Sequence, residues 1–171
     1  IDLGYGQEMI ANYDTYVALD VTSGDVYQME DILFSPYYRA ESQDSLFKDW
    51  GERYISDVDS VLNVQDVEVN GLPGRRWEFL SYNSGAREFV QLLLDGNSMY
   101  IGLFNGSFEG SSVANGRAFL ESVRSSETSL GNVFSPKAEA LLSALQGEDT
   151  LAQQAAARMV RTYAFDSTEY P

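Results

Sequence analysis

The chain has 171 residues, of which 44% are hydrophobic and 13% aromatic, the profile of a globular protein with its own core rather than a disordered chain. It carries 26 Asp and Glu against 11 Lys and Arg, a net charge of -15, and contains neither His nor Cys. Disulfides, zinc fingers, iron–sulfur clusters, thiol catalysis and a Ser–His–Asp triad are excluded, and nucleic acid and anionic membrane surfaces, which are bound through basic patches, are disfavoured.

The first forty residues read as strands. "TYVALDV" (15–21) is rich in β-branched and aromatic residues, "TSGD" (22–25) is a turn, and "VYQM" (26–29) and "DILFS" (31–35) follow, ended by Pro36. In "SPYYR" (35–39) the adjacent Tyr37 and Tyr38 cannot both enter one core face of a strand, which makes them candidate ligand or carbohydrate contacts beside the alternative of ordinary surface aromatics. From 43 to 62, Phe47, Trp50, Tyr54, Val58 and Val61, widened by Leu46, Ile55 and Leu62, predict one amphipathic helix with Ser42 or Asp44 as its N-cap and Gly51 inside it.

Residues 63–104 predict a four-stranded antiparallel meander. "NVQDVEV" (63–69), the turn "NGLPG" (70–74), "RRWEFLSY" (75–82), the turn "NSG" (83–85), "REFVQLLL" (87–94), "DGN" (95–97) and "SMYIGLF" (98–104) alternate strand and turn chemistry. Trp77 and Phe79 share one face of their strand, with Arg75 and Arg76 expected at its start as surface or salt-bridged residues. The last two strands are apolar on both faces: Val90, Leu92 and Leu94 oppose Phe89 and Leu93, and Met99, Ile101 and Leu103 oppose Tyr100 and Phe104. A sheet of that kind must be covered on both sides, and helices are the available covers.

Three helices are predicted beyond the meander. The first covers 111–125, with Val113, Phe119, Leu120 and Val123 inward. The second covers 135–147, with Ser135 as N-cap, Pro136 at its first position and Gly147 beyond its end. The third covers 149–163, with Leu151, Ala155, Met159 and Tyr163 on its inner face. The expected organisation is a single domain over 1–171: N-terminal strands in 1–40, a helix at 43–62, the meander at 63–104 and C-terminal helices in 111–163. The expected class is α+β, a central antiparallel sheet sandwiched between helices, with a cystatin- or NTF2-like curved sheet and helix as the alternative.

The run of amphipathic helix, "VQDVEVNGLPGRRWEFLS", "REFVQLLLDGNSMYIGLF" and a helix ending "FLESVRSS" resembles the PsbP-like family, which includes the photosystem II extrinsic protein and small bacterial lipoproteins of unknown function. Val69, Gly71, Arg76, Trp77, Gly96, Tyr100, Leu103, Phe119 and Ser122 carry the resemblance, over roughly residues 43–126. The chain departs from that pattern in the two helices of its last 45 residues and in lacking the aromatic-Pro opening. The resemblance implies an antiparallel sheet between helices and an accessory, non-enzymatic role, and it brings no catalytic residue with it.

Candidate chemistry is sparse. Arg75 and Arg76 are the sharpest cation pair and could grip a carboxylate or phosphate; the alternative is an ion pair with an acid on a neighbouring strand for one and solvation for the other. "DVDSVLNVQDVEVN" (57–70) gathers Asp57, Asp59, Asn63, Asp66 and Glu68, but Val61 and Leu62 stand where a calcium loop needs an oxygen ligand and a glycine. No catalytic residue, metal or cofactor is therefore expected. The candidate binding residues are Arg75, Arg76, Tyr37 and Tyr38. No apolar run approaches the length of about 20 residues that a membrane helix needs, so this segment is not expected to insert in a membrane. The start at Ile1 suggests a mature or trimmed form of an exported protein with a lipid anchor upstream. The functional expectation is a non-catalytic, extracytoplasmic binding or accessory module that meets a cationic protein partner or a small ligand. Its alternative is a carboxylate-based hydrolase of a small or carbohydrate substrate.

Overall fold

The computed structural model describes residues 10–106, 110–125 and 131–160. The expectation placed on Tyr163 lies outside those residues. In chain order the elements are β1 (Ile10–Leu19), β2 (Val26–Phe34), α1 (Gln43–Gly51), β3 (Ser60–Val69), β4 (Leu72–Leu80), β5 (Arg87–Asp95), β6 (Ser98–Asn105), α2 (Gly110–Glu121), α3 (Ala138–Gln146) and α4 (Thr150–Val160). The strands form one antiparallel sheet in the order β1-β2-β6-β5-β4-β3. The meander is as the alternation predicts, and the N-terminal hairpin adds to its β6 border.

The two apolar faces each have a cover. On one, Leu46, Phe47 and Trp50 of α1 pack with Trp77, Phe79, Val90, Leu92, Leu94, Met99 and Ile101. On the other, Leu120 of α2 packs with Phe89 and Phe104, while Val123 joins Leu93 and Tyr100. The fold is therefore α+β in three layers, not the curved sheet with a helix. Helix α2 lies close to the sheet because of two glycines: a Cβ on Gly102 would stand 2.5 Å from Leu120, and one on Gly116 would overlap Phe104.

The predicted helix over 43–62 stops at Gly51. Its start is as expected, with Ser42 accepting from the Ser45 N–H and Ser45 answering in a reciprocal box. The chain leaves the α-helix through tighter backbone bonds, Arg53 N to Trp50 O and Tyr54 N to Gly51 O, and the last helical residue packs closely: a Cβ on Gly51 would lie 2.5 Å from the Trp77 ring. Trp50 is buried at 2% exposure, but Val58, Val61 and Leu62 are exposed, and the last two already belong to β3. Asp57 and Asp59 consequently lie in turns rather than in a helix, and Asp59 accepts from the N–H groups of Ser56 and Tyr82.

Other boundaries shift for local reasons. "VYQM" and "DILFS" form one strand, because Glu30 between them is buried with partners: Gln28 Nε2 and Tyr54 Oη donate to its two oxygens at 2.7 Å. Strand β4 starts at Leu72, since the turn is only Asn70 (φ 52) and Gly71 (φ 83). Ser135 does not cap α3. Backbone bonds from Ala40 N to Val133 O and from Val133 N to Gly96 O tie this segment to the end of the sheet, and the helix begins after Lys137. Leu151 is 78% exposed; Ala156 and Met159 form the inner face of α4 and pack with Leu141 of α3.

Candidate functional site

Strand alternation separates the two arginines that stand side by side in the sequence. Arg75 points to the α1 side, where Nε reaches Asp66 and Nη1 reaches Asp44, each at 2.8 Å. Those bonds, Asp66 first, raise its basicity and leave it occupied. Arg76 points to the α2 side and is buried, not a surface residue at the start of the strand as its position after the Pro-Gly turn suggests.

Arg76 belongs to a row of polar residues laid across the sheet. Register pairs it with Gln65 of β3 on one side and Gln91 of β5 on the other. Its Nε donates to Gln91 Oε1 at 2.7 Å, and Gln91 Nε2 donates to the Leu120 carbonyl at 2.7 Å. Leu120 lies in the last turn of α2, whose carbonyls have no partner within the helix. Gln91, fully buried, thus satisfies a helix end and orients the arginine at once. Asn70 completes the same anchoring from the β3–β4 turn, where Nδ2 donates to Val123 O at 2.7 Å and to Glu121 O at 3.3 Å.

Helix α2 covers β5 and β6 and leaves β3 and β4 open beyond its flank. There a polar cleft of about 250 Å³ is lined by Asn63, Gln65, Arg76, Glu78, Phe89, Arg117 and Glu121. Arg117 and Glu121 are four residues apart on α2 and so share a helix face. Glu78 is held between two guanidinium groups, Arg87 Nε at 3.2 Å and Arg117 Nη2 at 3.3 Å. Glu121, 62% exposed, meets Arg76 Nη1 only at 3.6 Å, beyond ordinary hydrogen-bond length. Burial lowers the pKa of Arg76 and the neighbouring Arg117 adds to that, while Glu121 and Glu78 oppose it.

The candidate tyrosines lie elsewhere. Tyr38 stacks on Phe34 with ring centroids 4.9 Å apart and joins the core to the α3–α4 hairpin. Tyr37 is half-buried and lines a separate groove of about 320 Å³ against Leu151, Ala155 and Arg158 of α4. The four candidates of the sequence therefore do not converge. Only Arg76 reaches the polar cleft, and the residues that hold it or line the cleft with it, Gln91, Arg117, Glu78 and Glu121, are not singled out by their residue types. Gly116 was the available signal, since a glycine inside a helix marks a close approach. Among the described residues, no group of three or more acidic side chains converges as a metal site, and no helix is long and apolar enough to cross a membrane.

Fold and cleft together define an α+β protein of three layers with an arginine-bearing polar cleft. No family model matches the chain, and no curated protein matches it in sequence. Among solved structures it is similar to PA94, a protein of unknown function from Pseudomonas aeruginosa, at 8% identity and a TM-score of 0.41, over 68% of this chain and 85% of that one. It is also similar to the cyanobacterial PsbP of Synechocystis sp. PCC 6803, at 11% identity and a TM-score of 0.37, over 67% of this chain and 91% of that one. Likenesses of this size do not define a family.

Proposed function

We propose that the chain is a non-catalytic binding or accessory module of the PsbP-like kind, acting outside the cytoplasm, with the Arg76–Arg117 cleft as its ligand site. The observation that carries this reading is the state of the two acids in the cleft. A general acid or base needs a carboxyl group ready to exchange a proton with a reacting atom. Glu78 is occupied by Arg87 and Arg117, and Glu121 leans on Arg76. What the cleft offers is oriented donors, which bind and position.

Glu88 serves the sheet rather than the cleft. Burial pushes Glu88 up, and its Oε1 accepts from Ser84 and Asn105 as part of the sheet's end. The pairing of both cleft acids with arginines supports binding over carboxylate hydrolysis. Export rests on the sequence pattern over 43–126, and a net charge of -15 suits a protein partner with a cationic face, met faster at low salt.

The test has two arms. The purified chain is screened against glycoside and ester substrates, and it is used as bait in an envelope fraction at low and high ionic strength. Salt-sensitive capture without turnover is expected. Turnover abolished by Glu78→Gln or Glu121→Gln, with the fold intact, overturns the non-catalytic reading. For location, the complete reading frame should carry a signal segment upstream of Ile1; a start codon immediately before Ile1 overturns export.

A further inference from the structure

We infer that the cleft takes a small ligand through a single carboxylate group, which exchanges with the side chain of Glu121 for the outer nitrogens of Arg76. This rests on the cleft being the ligand site and names what enters it.

Arg76 is buried, and its Nε is committed to Gln91, so its guanidinium plane is fixed before any ligand arrives. The remaining nitrogens form the fork that matches a carboxylate in shape. Their present partner is loose: Glu121 lies 3.6 Å away and is 62% exposed, so the contact resembles a surface ion pair of small worth. A ligand carboxylate at hydrogen-bond distance replaces like with like, and the displaced Glu121 returns to water.

Charge arithmetic sets the valence. Arg76, Arg87 and Arg117 against Glu78 and Glu121 leave one positive charge, three less two, and Glu121 still counts after it lets go of Arg76, because α2 holds it at the rim of the cleft. The C-terminal end of α2, which brings Glu121 to the cleft, takes up part of that charge. One negative charge is matched, while a dianion such as phosphate meets two glutamates, a helix C-terminus and a chain of net charge -15. Size sets the rest, because about 250 Å³ lies below the usual range for drug-sized ligands. The two amides lining the β3 side, Asn63 and Gln65, give the ligand's second polar group something to bind.

The experiment is a titration of the whole chain at low ionic strength, followed by the side-chain amide resonances of Gln91, Asn63 and Gln65. The probes are propionate, the isosteric but neutral propionamide, and inorganic phosphate. Propionate should shift all three amides saturably, and propionamide should not. Arg117→Ala should weaken propionate by about tenfold, since it removes one of the two cations that line the cleft. Glu121→Gln should tighten it by about two- to fivefold, since the competitor is gone. Both substitutions fall on exposed positions of α2, so the fold survives them even if Arg76 variants do not fold. Phosphate binding more tightly than propionate, or propionamide binding as well as propionate, overturns the carboxylate assignment while leaving the cleft as a binding site. No shift with any probe, in the wild type or in Glu121→Gln, overturns the assignment and the cleft with it.

Discussion

Arg76 donates through Nε to Gln91 Oε1 at 2.7 Å, and both side chains are withdrawn from water. Its neighbour Arg75 is tied instead to Asp44 and Asp66, whose side chains are 78% and 73% exposed. Adjacent arginines of the same strand should therefore respond differently to the same substitution. Arg76→Ala leaves a buried acceptor without a partner and should cost about 1–3 kcal/mol. Arg75→Ala breaks solvent-screened pairs and should cost at most about 1 kcal/mol. Urea unfolding of both variants decides the matter, and equal losses would contradict the opposed orientation.

Gly51 and Trp77 form a second pair with a testable sign. Alanine for glycine in a helix ordinarily stabilises by about 1 kcal/mol. Here the new methyl would meet the Trp77 ring, and Gly51→Ala should destabilise by about 1–3 kcal/mol. Trp77→Ala should cost about 3–5 kcal/mol as a core truncation. Combined, the two should be less than additive, because the ring that the added methyl would strike is gone. Additive losses in thermal or urea denaturation would show that the two positions do not touch.

Asn70 can be dissected by two replacements. Its positive φ suits Asn or Gly, and its amide holds the end of α2. Asn70→Gly keeps the backbone and loses the anchor, whereas Asn70→Ala loses both. The expected order of stability is wild type, then Gly, then Ala, with the full span about 1–3 kcal/mol. Hydrogen exchange should quicken in the last turn of α2 in both variants. Unchanged exchange there would dismiss the anchoring role.

Glu88 makes a pH prediction. Its pKa is raised above the ordinary 4.5, by burial first and then by Asp59, with bonds from Ser84 and Ser81 opposing. The folded state therefore holds the proton more tightly than the unfolded state. The contribution of Glu88 to stability is greatest at acid pH and falls as pH rises from about 4.5 through the folded value. Glu88→Gln should gain on the wild type progressively across that window. A difference between the two that is flat with pH would reject the burial of this carboxyl.

The sheet was legible because β5 and β6 are apolar on both faces, a pattern with one physical solution. Helix α1 was overrun in the sequence because Val58, Val61 and Leu62 continue its spacing; Val61 and Leu62 instead belong to β3, whose pairing with β4 no local window contains. The cleft was half legible. Arg76 stands out in an acidic chain, but a pair of arginines in sequence suggests one grip, and the two-residue period of a strand sends them to opposite faces. Gln91 and Arg117 carry no signal of their own, since their roles arise only when α2 is laid across the sheet. Ser135 failed as a cap because tertiary bonds to Val133 hold the backbone before the helix can start.

Strand β1 is one outer border of the sheet among the described residues, and its composition has a practical consequence. Tyr16, Val17 and Leu19 are 59–64% exposed along it, and Asp14 is its one charged residue. A bare apolar border is a template for another chain. At neutral pH the charge of -15 keeps copies apart. Near the isoelectric point of about 4.1 that mutual repulsion disappears while the border remains. Precipitation near that pH is the expected consequence, and Val17→Lys, which places a charge on the border, should reduce it.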